Sequence, residues 1–199
     1  MNGIQIVAKE SLNGIIAFFI WILFCFFVDF SFGLFLGVVG ILLWCWAFRN
    51  PERIAMQKDN IILAPIDGEV IGIEKTEKSC LITIKVRFFD AGFIRLPLES
   101  KTIKITQKSG LLLYFSDLWK KLNQQIKIKG AHFEMLILPK VFAPSSINGS
   151  NALHVAIGQR VGFMKVGELQ LHITKPQVDI CINVGDKIIS GQSIIGYLK

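Results

Sequence analysis

Between Leu12 and Phe48 the chain carries a single charge, Asp29. No other feature constrains the fold as strongly, because this stretch has almost no polar face to turn toward water. One helix over it would run roughly 55 Å, against a hydrocarbon core of about 30 Å. Two shorter segments fit better: Leu12–Val28 and Phe32–Phe48, joined by a turn at Asp29-Phe30-Ser31. Each is near the lower limit for a span. The expectation is an α-helical membrane hairpin within residues 1–48, either fully spanning or re-entrant. The stretch is too long for a cleaved signal peptide and shows no small-residue cleavage site. Lys9 precedes it, Arg49, Arg53 and Lys58 follow it, and the turn has no basic residue, so both ends are expected to face the cytoplasm. Asp29 then sits in water at the far turn, the alternative being a buried functional carboxylate.

The rest of the chain is a different material. Of 22 basic and 15 acidic residues, residues 1–48 hold only Lys9, Glu10 and Asp29, which leaves a basic body with a net charge of +8. Residues 49–199 are long enough for one domain with a real core. Asn50-Pro51 marks its start. Short runs rich in Val, Ile and Phe follow, bounded by Gly and Pro turns: 61–64, 69–74, 81–89, 103–107, 111–115, 133–138, 154–157, 161–166, 169–174, 180–183, 187–189 and 194–198. Lys108-Ser109-Gly110 reads as the turn of a hairpin between 103–107 and 111–115. Only 116–123 looks helical, with Ser116 as its N-cap. Many short strands argue for a mainly β domain, a barrel or sandwich. Two turn segments resemble each other, Ala64-Pro65-Ile66-Asp67-Gly68-Glu69-Val70 and Val184–Gln192. Such half-motifs interlock in the flattened barrel-sandwich of lipoyl and biotinyl carrier domains.

Few residues suggest chemistry on their own. Cys25, Cys45, Cys80 and Cys181 are scattered without a C-x-x-C, which favours buried reduced thiols over a zinc or redox site. His132, His154 and His172 lack metal-ligand spacing, so no metal is expected. Ser145, Ser146 and Ser150 lie in a loop with no nearby base. Lys101, Lys104, Lys108, Lys120, Lys121, Lys127 and Lys129 face only Asp117 within 101–129. They read either as a solvated face or as a surface resting on an anionic phospholipid membrane, worth up to about 1 kcal/mol per lysine near the headgroups. Nucleic acid is not expected, since no aromatics interleave with these lysines as stacking platforms.

The motifs, taken in order, resemble those of the short bacterial phosphatidylserine decarboxylases over nearly the whole chain. The family's F-R-D-P-x-R stands here as Phe48-Arg49-Asn50-Pro51-Glu52-Arg53, and P-A-D-G-x-V as Pro65-Ile66-Asp67-Gly68-Glu69-Val70. The family's G-x-R-x-G-x-[IM]-[RK]-[FV]-G-S is matched by Gly158 through Gly167, and then comes Glu168. V-G-D-x-V-x-x-G-x follows at Val184–Gln192. The resemblance implies a decarboxylase-type β domain behind a hairpin in the inner membrane. It also implies a cofactor made from the chain itself: the serine oxygen attacks the preceding glycine carbonyl, the ester eliminates, and the dehydroalanine left behind hydrolyses to a pyruvoyl group. That ketone takes the substrate amine as a Schiff base and stores the electrons released with carbon dioxide.

Glu168 has no β-oxygen to eliminate, so this route is closed to it. In the family's F-D-x-H-x-x-R-x-P motif, here Phe89-Asp90-Ala91-Gly92-Phe93-Ile94-Arg95-Leu96-Pro97, the histidine is Gly92, which offers no proton relay. The family's E-N-E-R-N stretch survives only as Leu122-Asn123-Gln124-Gln125. Asp67 is retained and suits a turn. The expectation is a non-catalytic relative without a pyruvoyl group, membrane-held and lipid-binding or regulatory. The sequence leaves open a homo-oligomer or a related partner subunit. Three alternatives stand beside it: an active decarboxylase with an unorthodox site, a cleavage site displaced to Gly149-Ser150, and a carrier or adaptor module in which Met164-Lys165 would accept biotin.

Overall fold

The computed structural model describes residues 7–8, 11–54, 56, 60–76, 79–111, 113–116, 118–140, 153–174 and 178–198. Lys9, Lys58 and Asp117, and the loop holding Ser145, Ser146, Gly149 and Ser150, lie outside the described residues. The chain divides into two compact units, Met1–Glu52 and Arg53–Lys199.

In the first unit, helices α1 (Leu12–Phe27) and α2 (Ser31–Ala47) pack against each other. Glycines set the contact. A Cβ on Gly37 would sit 2.5 Å from Ile22, one on Gly40 2.4 Å from Phe18, and one on Gly14 2.2 Å from Trp44. Two indole N–H groups also find acceptors across the pair: Trp21 donates to Gly33 O (3.2 Å) and Trp44 to Ser11 O (3.0 Å). Asp29 ends α1. It takes a left-handed conformation (φ 58°), its N–H bonds Phe26 O, and the Phe30 N–H reaches back to Cys25 O at 2.9 Å. This is the helix stop usually built on glycine, so the lone charge of the stretch caps a helix, exposed rather than buried. Among the described residues no helix is long and apolar enough to cross a membrane. The fully spanning form of the hairpin is therefore not supported, because the cap at Asp29 stops α1 after 16 residues. Gly37→Leu is expected to force the helices apart and lower the stability of the pair by about 1–3 kcal/mol. Loss of the close Trp21–Gly33 approach, followed by Trp fluorescence during denaturation, checks this.

The second unit is mainly β. Its strands are β1 (Ile61–Leu63), β2 (Gly68–Thr76), β3 (Ser79–Val86), β4 (Phe93–Arg95), β5 (Ser100–Thr102), β6 (Lys104–Lys108), β7 (Gln125–Lys129), β8 (Phe133–Pro139), β9 (Leu153–Val155), β10 (Arg160–Phe163), β11 (Gly167–Ile173), β12 (Val178–Ile180), β13 (Lys187–Ile188) and β14 (Ile194–Leu198), with a short helix α3 (Trp119–Leu122). Seven of them form one sheet in the order β13-β2-β3-β11-β8-β7-β6, and smaller sheets pair β1-β14-β12, β10-β4 and β5-β9. The core follows from the period-2 alternation of the central strands. Ile82, Ile84, Ile126, Ile128, Met135, Ile137, Leu169, Leu171 and Ile173 are fully buried on one face.

The two half-motifs pair with each other. Ile188 lies opposite Gly68 and Lys187 opposite Glu69, while Gly191 N–H bonds Ala64 O and Ala64 N–H bonds Ser193 O, each at 2.9 Å. Among the described residues the sheets nevertheless form no closed barrel. The expected hairpin at Lys108-Ser109-Gly110 is also corrected. The partner of β6 is β7, with Lys104 opposite Lys129 and Lys108 opposite Gln125, and among the described residues of 111–115 only Leu111 makes a bridge, to Asn123. The Asn123 side-chain amide takes both the N–H and the carbonyl of Leu113, so that backbone has no ladder to join. The expected helix shrinks to four residues, and the Ser116 hydroxyl accepts from Leu118 N (3.2 Å) in the turn before it.

Candidate functional site

Residues quoted above from separate motifs meet at two places in the second unit. The first is Asp67, in the turn between β1 and β2. Both of its carboxylate oxygens are engaged by the Arg53 guanidinium, with Nη2 to Oδ2 at 2.7 Å and Nη1 on Oδ1. Oδ1 also accepts from Ser190 N at 2.8 Å. The Ser190 hydroxyl bonds Pro65 O (3.2 Å) and Phe93 O (3.3 Å), and Arg53 Nη1 bonds Ser190 O (3.2 Å). The carboxylate therefore fastens the first half-motif to the second. Arg95 lies beside it, buried, and donates to Gly158 O at 2.9 Å. Burial, then the neighbouring Arg160 and Arg53, pull its guanidinium down to about 10, with Asp67 pulling the other way. Arg160 is paired across from Arg95 in the β10–β4 ladder and stacks its guanidinium on the Phe93 ring at 5.1 Å. The sequence motifs contain Arg53, Arg95 and Arg160, but no local signal puts Arg53 on Asp67 or sets Arg95 opposite Arg160.

The second place is the approach to β11. Gly92 O accepts from Met164 N at 2.8 Å, and a Cβ on Gly92 would lie 2.3 Å from Met164 O. With the backbone as it stands, no side chain fits there. Lys165 is fully buried, its Nζ donating to Asp90 O (2.6 Å) and Phe88 O (2.9 Å). Val166 has a left-handed φ of 48°, a strained conformation for a β-branched residue. Gly167 follows, and its missing Cβ would meet Leu138 O at 2.3 Å. Glu168 lies opposite Lys85 of β3 and Leu138 of β8, so it is flanked by strands on both sides. It is on the sheet face away from the Leu169 core. Lys120 Nζ stands 2.7 Å from Glu168 Oε2. The side chain of Glu168 is 13% exposed, and the approach of Lys120 is an ion pair without hydrogen-bond alignment.

The seven lysines are all exposed, but two are paired, Lys120 with Glu168 and Lys127 with Glu134 at 2.7 Å. Lys104 and Lys129 stand directly opposite each other. His172 lies on β11, His154 on β9 and His132 in the turn before β8. Among the described residues no three His, Cys, Asp or Glu side chains gather as a metal site would need. The four cysteines are free thiols, but not all are buried as expected: Cys45 is half-buried and Cys181 exposed. Burial pushes the Cys80 thiol up, with Lys75 opposing.

The geometry defines a β domain whose half-motifs are clamped by an arginine-bound aspartate, with a tight glycine turn feeding a central strand. The chain belongs to the phosphatidylserine decarboxylase family, whose model matches residues 42–196. It is 27% identical over 181 residues to a phosphatidylserine decarboxylase proenzyme of Pelagibacter ubique, covering 81% of this chain and 84% of that one. The proenzyme of Syntrophus aciditrophicus is 27% identical over 212 residues, 98% of this chain and 99% of its own. That of Chlorobium phaeobacteroides is 28% identical over 178 residues, with 81% and 82% covered. No solved structure matches the chain. The chain is thus a phosphatidylserine decarboxylase-related protein of phospholipid metabolism.

Proposed function

We propose that this chain keeps the family's fold at a membrane without making the pyruvoyl group, and serves there as a lipid-binding or regulatory protein. The observation that carries the reading is Glu168. A pyruvoyl group needs a β-hydroxyl at that position, both as nucleophile and as leaving oxygen, and a carboxylate one carbon further out supplies neither. The residues present do not fit the group in a second way. Gly92 has no imidazole, and the Met164 carbonyl fills the space one would need. The Glu168 carboxylate is taken up by Lys120, which ties α3 to the sheet.

Membrane attachment is supported by the surface of α1 and α2. Phe19, Phe24, Phe27, Phe32, Phe35 and Leu42 are all more than half exposed, with Phe27 at 82%. So large an apolar surface belongs against lipid or protein. Helices of 16 and 17 residues suit a re-entrant or interfacial pair. The basic residues flanking the pair favour its entry from the cytoplasmic side of the inner membrane. The exposed lysines of the second unit favour anionic lipid there.

The test is the intact mass of the purified chain. We expect one unbroken polypeptide of 22.3 kDa and no carbon dioxide released from phosphatidylserine. Two fragments, the C-terminal one blocked at its N-terminus, would overturn the reading, and so would turnover by the purified protein.

A further inference from the structure

Between Leu111 and Leu122 several of the described residues present apolar side chains outward from a pinned base. Phe115 is 94% exposed, Leu111 58%, Leu118 53%, Tyr114 45% and Leu122 44%. The base is held firmly. Asn123, 2% exposed, accepts from Leu113 N (2.7 Å) and donates to Leu113 O (3.0 Å) and Pro139 O (3.2 Å). Leu111 N bonds Leu122 O at 2.8 Å. A Cβ on Gly110 would meet the backbone of Asn123 and Leu122 at 2.4–2.5 Å, so the two arms of the neck touch. Trp119, 8% exposed, is turned inward, with Lys140 Nζ 5.3 Å over its ring. The segment therefore buries one aromatic as its foot and holds another in water at its tip. A fully exposed phenyl ring forgoes the gain of leaving water, and a pinned neck keeps it from folding back.

Positive charge flanks the segment. Lys108, at the end of the β6–β7 ladder from which it springs, and Lys121 are exposed, and Lys120 is half-exposed beside its partner Glu168. We infer that the 111–122 segment is a hydrophobic wedge that inserts Phe115 and its apolar neighbours into the headgroup region of an anionic bilayer, with the lysines on the phosphates. Apolar side chains at the tip with lysines around them match the two halves of an anionic interface. A second copy of the chain matches less well, because like faces would oppose lysine to lysine. The inference rests on the reading of the chain as membrane-associated and adds a contact independent of α1 and α2.

Phe115→Trp in the full chain tests it, since a substitution at so exposed a site leaves the packing untouched. The chain is mixed with vesicles of phosphatidylcholine alone or with phosphatidylserine added, each with and without brominated acyl chains. The readout is the emission of the variant minus that of the unsubstituted chain, which removes the four native tryptophans. With phosphatidylserine present the difference emission is expected to shift to the blue and to be quenched by bromine about twofold or more, as for an indole at the interface. With phosphatidylcholine alone it stays that of an indole in water. A chain that sediments with the anionic vesicles while residue 115 stays wet and unquenched overturns the wedge and leaves the helix attachment standing. A chain that does not sediment at all overturns both. A blue shift that grows with protein density and ignores bromine assigns the tip to a second copy and overturns the inference. Equal quenching in both membranes overturns its anionic preference.

Discussion

Asp67→Asn is expected to cost the protein about 3 kcal/mol, the usual penalty for leaving one member of a buried ion pair without its counterion. Arg53 and Asp67 are 13% and 11% exposed, so water can do little for a guanidinium left alone. For a domain of this size that loss lowers the melting temperature by roughly 10 °C. The amide still accepts from Ser190 N, so the substitution isolates the charge from the hydrogen bond that joins the half-motifs. Removing the second charge as well, in Arg53→Met with Asp67→Asn, is expected to recover at least half of the loss. A single variant within about 0.5 kcal/mol of the parent, the range of ordinary surface changes, shows that the clamp is not what holds the turn segments together.

The second large effect concerns restoring the family's missing groups. Glu168→Ser alone is expected to leave the chain in one piece, since a serine without a proton acceptor nearby is a weak nucleophile. Adding Gly92→His supplies the imidazole but drives a Cβ to within 2.3 Å of the Met164 carbonyl. Strands β4 and β10 must then part, at about 2–3 kcal/mol. The doubly substituted chain is expected to melt lower and still to give a single mass. Fragments from Glu168→Ser alone would mean that other residues of the chain supply the rest of the cleavage machinery, and the non-catalytic reading would fall. The two departures are linked by structure: the strand pairing that closes over Gly92 also positions the turn leading into Gly167.

The sequence is most informative where one strand faces one core. Leu169, Leu171 and Ile173 alternate with Glu168, Gln170 and His172, and the sheet follows that alternation. Gln125-Ile126-Lys127-Ile128-Lys129 carries the same pattern and forms β7, although its lysines give the stretch the look of a charge cluster. Residues 111–115 show the opposite case: the run is apolar enough for a strand, but the Leu113 backbone is taken by the side chain of Asn123. At the site, Glu168 and Gly92 could be read from the sequence because each replaces a residue that a motif requires. Their surroundings could not. The Ser190–Asp67 contact closes 123 residues of intervening chain, and the Met164 carbonyl against Gly92 comes from a strand pairing that no local pattern announces. The two helices, of 16 and 17 residues, fall where the hydropathy and the turn at Asp29 place them, and neither is long enough to cross a membrane.

The lysines of β6 have an effect that concerns neither lipid nor the old active site. Among the described strands β6 is the outermost of the large sheet on its side, and its outer backbone groups would otherwise template the addition of another extended chain. Lys104 and Lys108 put positive charge along that rim, and Lys104 already stands across from Lys129. A strand docking there would have to bury that repulsion, the means by which open sheets resist growing into fibrils.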